Sequence, residues 1–192
     1  MFPLTLARMG YKVAMSESLK YYSSSFTPLF DYLSKQGVRI IDWDPFEPGA
    51  PLEASFDCVT VMAVLEHYPH SLRTFLDNAL AIMAREGSLY LEVPNIAYWP
   101  KRKALMLGKS PLVPISDIFH SATPFIGHHH EFTVSELRDL LSLAGLKLLD
   151  TRHYNYSFRG GSLLRRLLSE PSLTIASLFP HMRECISVLA AK

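Results

Sequence analysis

The chain has 192 residues, 48% of them hydrophobic and 19% charged, with a formal net charge of +1. Those totals suit a single domain over residues 1–192 with a substantial core. They argue against nucleic acid or a charged membrane surface as partner, and no apolar run approaches the roughly 20 residues of a membrane span.

Two cysteines, Cys58 and Cys185, lie in apolar, strand-like runs. They offer neither a disulfide framework nor metal-ligand spacing, which fits a reduced, cytoplasmic setting. In chain order, Phe2, Leu6, Ala7 and Met9 sit at helical spacing, so a helix is expected over 2–9, stopped by Gly10, with a strand at 11–16. Thr27 and Pro28 read as N-cap and first residue of a helix with Phe26, Leu29, Phe30 and Leu33 on one face and Gly37 at its end. VRIIDW (38–43) is a β-branched strand, and FDCVTVM (56–62) reads as a strand buried on both faces. Ser71 caps a helix whose stripe is Leu72, Phe75, Leu76, Ala79, Leu80 and Met83, with Gly87 as its stop and SLYLEV (88–93) as the next strand. Residues 94–130 form a long insertion, rich in Pro and His and helical near 101–107. Thr133 and Glu136 make a capping box for a helix with Leu137, Leu140, Leu141 and Ala144 inside and Gly145 at its end. LKLLDTRHY (146–154) and CISVLAA (185–191) complete the strands. The basic groups Lys101-Arg102-Lys103 and Arg165-Arg166 read as solvated faces.

Alternating strands and helices predict an α/β fold of three layers with a mostly parallel sheet. An insertion beyond a strand's C-terminal end lies where such folds bind ligands.

Several segments together resemble the class I S-adenosylmethionine-dependent methyltransferases, in particular the small-molecule group with ubiquinone-biosynthesis-type enzymes. GYKVAMSES (10–18) looks like the family's second strand with its terminal acid, here Glu17. VRIIDWDPFE (38–47) looks like the third. FDCVTVMAVLEHYPH (56–70) is similar to the stretch FDxVxxxxVLEHxxxP, and GSLYLEVPN (87–95) to the fifth strand and its exit. GHHHEFTVSELRDLLSLAGLKLLD (127–150) resembles the late H-x-FT-x-x-EL segment. The likeness runs over about 2–155, and ECISVLAAK (184–192) resembles the terminal strand. It implies a Rossmann-like methyltransferase fold with an antiparallel last strand, S-adenosylmethionine as cofactor, and a small-molecule acceptor methylated at oxygen. Carried over residue by residue, it implies cofactor contacts from Glu17, Ser18, Asp44, Pro45, Met62, Ala63 and Val64. Ala63 stands where ubiquinone-type relatives often carry an acid.

A carboxylate at the end of a parallel strand can accept two hydrogen bonds from a ribose diol, which suits Glu17. Asp44, in the loop, is preferred over Asp42, within the strand, as the acid near an adenine amino group. Trp43 or Phe46 could cover the adenine. His67 and His128 are the candidate catalytic residues, because an imidazole titrates near neutrality and can take a proton from an oxygen nucleophile. Helix capping by His67 and loop packing by the run His128–His130 are the competing readings. Three consecutive histidines point in different directions, so the run offers no metal face and no metal is expected, although His67 and His120 could join a composite one. Tyr98, Trp99, Phe119 and Phe125 suggest an apolar or aromatic acceptor, or a stacked sugar, under the 94–130 insertion.

The family's glycine-rich loop and first strand have no counterpart here. In the family's strand order 3-2-1-4-5-7-6 that strand is central, so its loss would leave backbone groups unpaired. Two expectations follow: the chain is a fragment of a longer product, or its second and fourth strands close up in a rearranged sheet. The fragment is preferred, and with it comes the alternative that this chain alone is non-catalytic. Oligomeric state is not legible.

Overall fold

A computed structural model describes residues 2–19, 23–47, 52, 55–69, 71–122, 125, 127–157 and 162–192. The chain forms two compact units, Met1–Glu53 and Ala54–Lys192.

In the first unit, helix α1 (Phe2–Arg8) leads to strand β1 (Val13–Glu17), and α2 (Thr27–Lys35) to β2 (Val38–Asp42). Gly10 (φ 91°) and Gly37 (φ 87°) follow the two helices in the left-handed conformation that a side chain disfavours, so both serve as the expected stops. The strands pair in parallel from Val13 with Val38 to Glu17 with Asp42. Leu4, Leu33 and Val38 are buried together, with Ala7, Val13, Met15 and Ile40 packed against them.

Two details differ from expectation. Thr27 is the first helical residue rather than the cap: a short 3-10 turn, Ser24–Phe26, precedes it, and its N–H already donates to the Ser24 carbonyl. Pro28 has no N–H to satisfy, so little is left for a capping side chain to do. Of the expected stripe, Leu33 is buried, whereas Phe26 and Leu29 are exposed.

The second unit contains β3 (Phe56–Met62), α3 (Leu72–Ala81), β4 (Met83–Pro94), α4 (Trp99–Met106), α5 (Ile115–Phe119), α6 (Val134–Leu143), β5 (Lys147–Tyr154), α7 (Leu163–Ser169), α8 (Pro171–Ala176) and β6 (Cys185–Ala191). Its sheet has the order β3-β4-β6-β5. β3 and β4 are parallel, and β6 runs antiparallel to both its neighbours. Leu89, Leu91 and Val93 on β4 lie opposite Ala190, Val188 and Ile186 on β6, and all six are at most 1% exposed. Phe75, Leu76 and Ala79 of α3 and Leu137 and Leu141 of α6 are buried as the periodicity requires. Helix α6 starts on the expected capping box: Thr133 Oγ1 accepts from Glu136 N at 3.2 Å, and Glu136 Oε2 accepts from Thr133 N at 2.7 Å.

The two sheets reproduce, in order, the 3-2 and 4-5-7-6 parts of the resemblance. Among the described residues β1 pairs with β2, and β3 with β4. As an edge strand, β3 is not buried on both faces: Asp57, Cys58 and Thr60 are exposed and only Val61 is fully buried. An edge strand has a neighbour on one side only, which limits what can cover it.

Gly87 is also not a helix stop. Helix α3 ends at Ala81, and Gly87 is buried inside β4, where the register jumps from Phe56–Met83 to Cys58–Ser88. A Cβ there would meet Met83 Cγ at 2.8 Å and the carbonyls of Ala84 and Phe56 at 3.0 Å. Gly87→Ala is therefore expected to lower unfolding free energy by about 1–3 kcal/mol, the usual cost of overpacking. Urea denaturation measures it, and an unchanged midpoint would contradict the close approach.

Candidate functional site

The chain leaves the C-terminal end of β3 through an unusual bend. Ala63 has φ 53°, the one non-glycine residue with positive φ among those described, and its N–H donates to the Glu92 carbonyl at 3.0 Å. Left-handed backbone at a residue with a Cβ costs free energy, and such residues collect at functional sites. A single 3-10 turn, Leu65–His67, follows and buries Leu65 (1% exposed) and Glu66 (2%).

Burying Glu66 leaves one oxygen, Oε2, with no hydrogen-bond partner. Loss of water pushes its pKa above the usual carboxylate value. A hydrogen bond from its own main chain and the nearby His67 and His128 pull the other way, and Glu131 adds to the rise. His67 Nε2 lies 4.0 Å from Glu66 Oε1, and the His67 and His128 rings meet edge to face with centroids 4.8 Å apart. One ligand atom from each of Glu66, His67 and His128 falls within 4.8 Å of the others. A carboxylate and two imidazoles of this kind can hold one divalent cation with open positions, or a hydroxyl group.

The loop carrying His128 is latched to the same turn. The main-chain N–H of His129 donates to the Glu66 carbonyl at 2.6 Å. The three histidine rings then diverge to different partners. His128 Nδ1 meets Glu131 Oε1 at 2.8 Å, His129 Nε2 meets the Phe125 carbonyl at 3.3 Å, and His130 Nε2 meets Glu136 Oε1 at 3.3 Å. Only His128 of the run joins the cluster, and His120 instead meets Phe119 edge to face. Glu131 is 7% exposed and forms an ion pair with Lys101 of α4.

Sequence reasoning missed Lys101 and Glu131 and passed over Glu66. Lys101 is no solvated cation: it is spent on Glu131, and Arg102 Nε donates to the Ala97 carbonyl. The spacing of His128 and Glu131, three residues apart, was the one signal available. Asn95 anchors the start of the insertion. It is 2% exposed, donates to the carbonyls of His181 and Arg183 at 3.1 and 2.7 Å, and accepts from Ala97 N at 2.9 Å. Of the insertion's aromatics, Phe119 is 80% exposed, whereas Trp99 holds a buried, unpartnered Nε1. Burial, with the charge of Glu184 next, pushes the Tyr98 hydroxyl up to about 12, so it stays protonated at neutral pH.

Four of the remaining expected residues, Glu17, Ser18, Asp44 and Pro45, belong to the first unit. Glu17 ends β1, with Ser18 half-buried after it. Asp42 ends β2, and its Oδ1 accepts from Leu19 N at 3.0 Å, so it braces the loop after β1. Asp44 Oδ1 accepts from Phe46 N at 3.0 Å, a turn built around Pro45. Acids thus stand at or just beyond the C-terminal ends of both parallel strands. Met62, Ala63 and Val64 lie in the second unit, at the bend.

A family model described as a methyltransferase domain matches residues 15–151. The chain belongs to this methyltransferase-domain family. A sequence search of curated proteins finds no match. Among solved structures, this methyltransferase domain is similar to the 1,6-didemethyltoxoflavin N1-methyltransferase of Burkholderia thailandensis, determined with bound 1,6-didemethyltoxoflavin and S-adenosylhomocysteine. The TM-score is 0.55 at 18% identity, over 98% of this chain and 64% of that one. It is similar to magnesium protoporphyrin IX methyltransferase of Synechocystis, also determined with S-adenosylhomocysteine, at TM-score 0.56 and 16% identity, over 99% and 68% of the two chains. An S-adenosylmethionine-dependent methyltransferase of Mesorhizobium loti gives TM-score 0.61 at 10% identity, over 100% and 85%. The first of these is thus longer, this chain spanning 64% of its length. At such identities the likeness shows the fold, a Rossmann-like α/β methyltransferase fold.

The buried carboxyl gives a pH-dependent prediction. A folded-state pKa above the unfolded one contributes stability that is present below the unfolded value and is lost as pH rises through the folded value. Glu66→Gln removes that loss. It is expected to melt above wild type at pH 8 and level with it at pH 4; a gap of equal size at both pH values would contradict the assignment.

Proposed function

We propose that this methyltransferase domain carries a methyl group from S-adenosylmethionine to a hydroxyl oxygen of a small-molecule acceptor, and that the acceptor hydroxyl meets Glu66, His67 and His128. The observation that carries this reading is the buried Glu66, which clusters with two imidazoles and has one oxygen, Oε2, without a hydrogen-bond partner. That set lacks a donor, and a hydroxyl brings one. Membership of the methyltransferase family and the cofactor product held by the solved neighbours support the cofactor.

Bound S-adenosylmethionine supplies an electrophilic methyl on a sulfonium. In the first unit, Glu17 and Ser18 would hold the ribose and Asp44 and Pro45 the adenine. Glu66 would orient the hydroxyl, and His128 or His67 would take its proton at Nε2 as the oxygen becomes a better nucleophile. Most of the acceleration would come from holding the two reactants in line.

The same unpartnered oxygen favours a second reading, in which a divalent cation in the cluster binds the acceptor oxygen. Zinc or magnesium would then raise the melting temperature of wild type and leave Glu66→Gln unmoved.

Label transfer from methyl-labelled S-adenosylmethionine to a panel of phenols, hydroxyquinones and sugars tests the function. One class of hydroxyl is expected to be labelled, and His128→Ala to lower kcat by about 10²–10⁴. Labelling confined to amines would overturn the oxygen assignment. Calorimetry addresses the cofactor: micromolar binding is expected, weakened at least tenfold by Glu17→Ala, since charged hydrogen bonds are worth roughly 1.5–3 kcal/mol. Absence of binding by this chain would favour the reading as a non-catalytic fragment.

A further inference from the structure

The partners of the two imidazoles decide which nitrogen each ring offers to the cluster. His67 Nδ1 lies 3.2 Å from the carbonyl oxygen of Gly127, and His128 Nδ1 lies 2.8 Å from Glu131 Oε1. A carbonyl oxygen only accepts, and so does the carboxylate of an ion pair. Each hydrogen bond therefore requires the hydrogen on Nδ1, and in the neutral ring Nε2 is left with a lone pair. With an ionised Glu66 beside the two rings, the cluster presents acceptors alone.

The two locks differ in kind. His67 is held by main chain, so no substitution at its partner removes the acceptor. His128 is held by a side chain that is itself held: Glu131 gives one oxygen to His128 and the other to Lys101. The Lys101 side chain is 21% exposed and that of Glu131 6%, so the pair is largely out of water and each needs the other. Lys101 has donors only. It occupies one oxygen of Glu131 and leaves the other, Oε1, for the ring.

We propose that Lys101 and Glu131 are positioning residues that fix His128 as its Nδ1–H tautomer, so that its Nε2 joins that of His67 in accepting from the substrate hydroxyl. The substrate half of this rests on the proposed methyl transfer; the tautomer does not. The arrangement also narrows the acceptor class. A group entering this cluster must bring a hydrogen or a positive charge; an ether, a ketone or an ionised carboxylate would meet only lone pairs.

Two-dimensional NMR of the full chain labelled with ¹⁵N-histidine reads the tautomers without any substrate. At pH 8, both His67 and His128 are expected with a hydrogen on Nδ1 and a bare Nε2. In the apolar pair Lys101→Met with Glu131→Leu, His128 is expected to move toward Nε2–H or a mixture while His67 stays as it was. An Nε2–H on His128 in wild type, or a His128 spectrum unchanged in the double variant, would overturn the proposal. Should the double variant not fold, Glu131→Gln takes its place. The hydrogen on His128 Nδ1 is then expected to lose the downfield shift a carboxylate partner gives it, and an unmoved resonance counts against the lock. Because activity enters none of these readouts, failure of the lock and failure of the methyl-transfer reading remain distinct.

Discussion

A carboxylate taken out of water needs a donor, a cation or a proton, and Glu66 is left with one oxygen that no donor of the protein reaches. The local structure explains how it gets there. β3 ends at Met62, the left-handed Ala63 turns the chain, and the 3-10 turn pulls Leu65 and Glu66 inward together. Leu65 contributes burial that offsets the cost of Glu66. The carbonyl of Glu66 is spent on the loop of His129, which brings His128 alongside. One strained bend thus fixes a carboxylate, two imidazoles and the loop between them.

The insertion after β4 is tied to the same place from the other side. Asn95 closes the exit of β4 with three hydrogen bonds, and Ile96 N and Phe132 N link the start and end of the insertion across an isolated bridge. Lys101, a turn into the next helix, then reaches Glu131. The long insertion is therefore held at its two ends, next to the cluster. Its middle carries large exposed apolar side chains, Ile115 and Phe119 among them.

The parts of this arrangement that were legible in the sequence are those written locally. Thr133 and Glu136 announce a helix start because both halves of the capping box lie within one turn. Gly10 and Gly37 announce helix ends because the left-handed residue directly follows the helix. The family likeness was legible from the VLEH stretch together with its flanking strands. What failed was written at a distance. A glycine after an apolar stripe looks the same whether it ends a helix or, as Gly87 does, lets two strands approach. The run FDCVTVM reads as doubly buried because its composition cannot reveal that it has one neighbour in the sheet. Lys101 and Glu131 are 30 residues apart, and a lysine within a basic triplet gives no local hint of a buried partner. Glu66 was hidden for the opposite reason: it sat within the recognised motif, where its burial could not be read.

The central claim is that a substrate hydroxyl docks onto a pre-formed set of acceptors at the end of β3. A crystal structure of the chain with S-adenosylhomocysteine and a methylatable hydroxyl compound tests it most directly. The account predicts the acceptor oxygen within about 3.2 Å, a hydrogen-bond length, of Nε2 of His128 or His67, and on the Glu66 side of both rings. An acceptor oxygen out of hydrogen-bond reach of all three residues would contradict it.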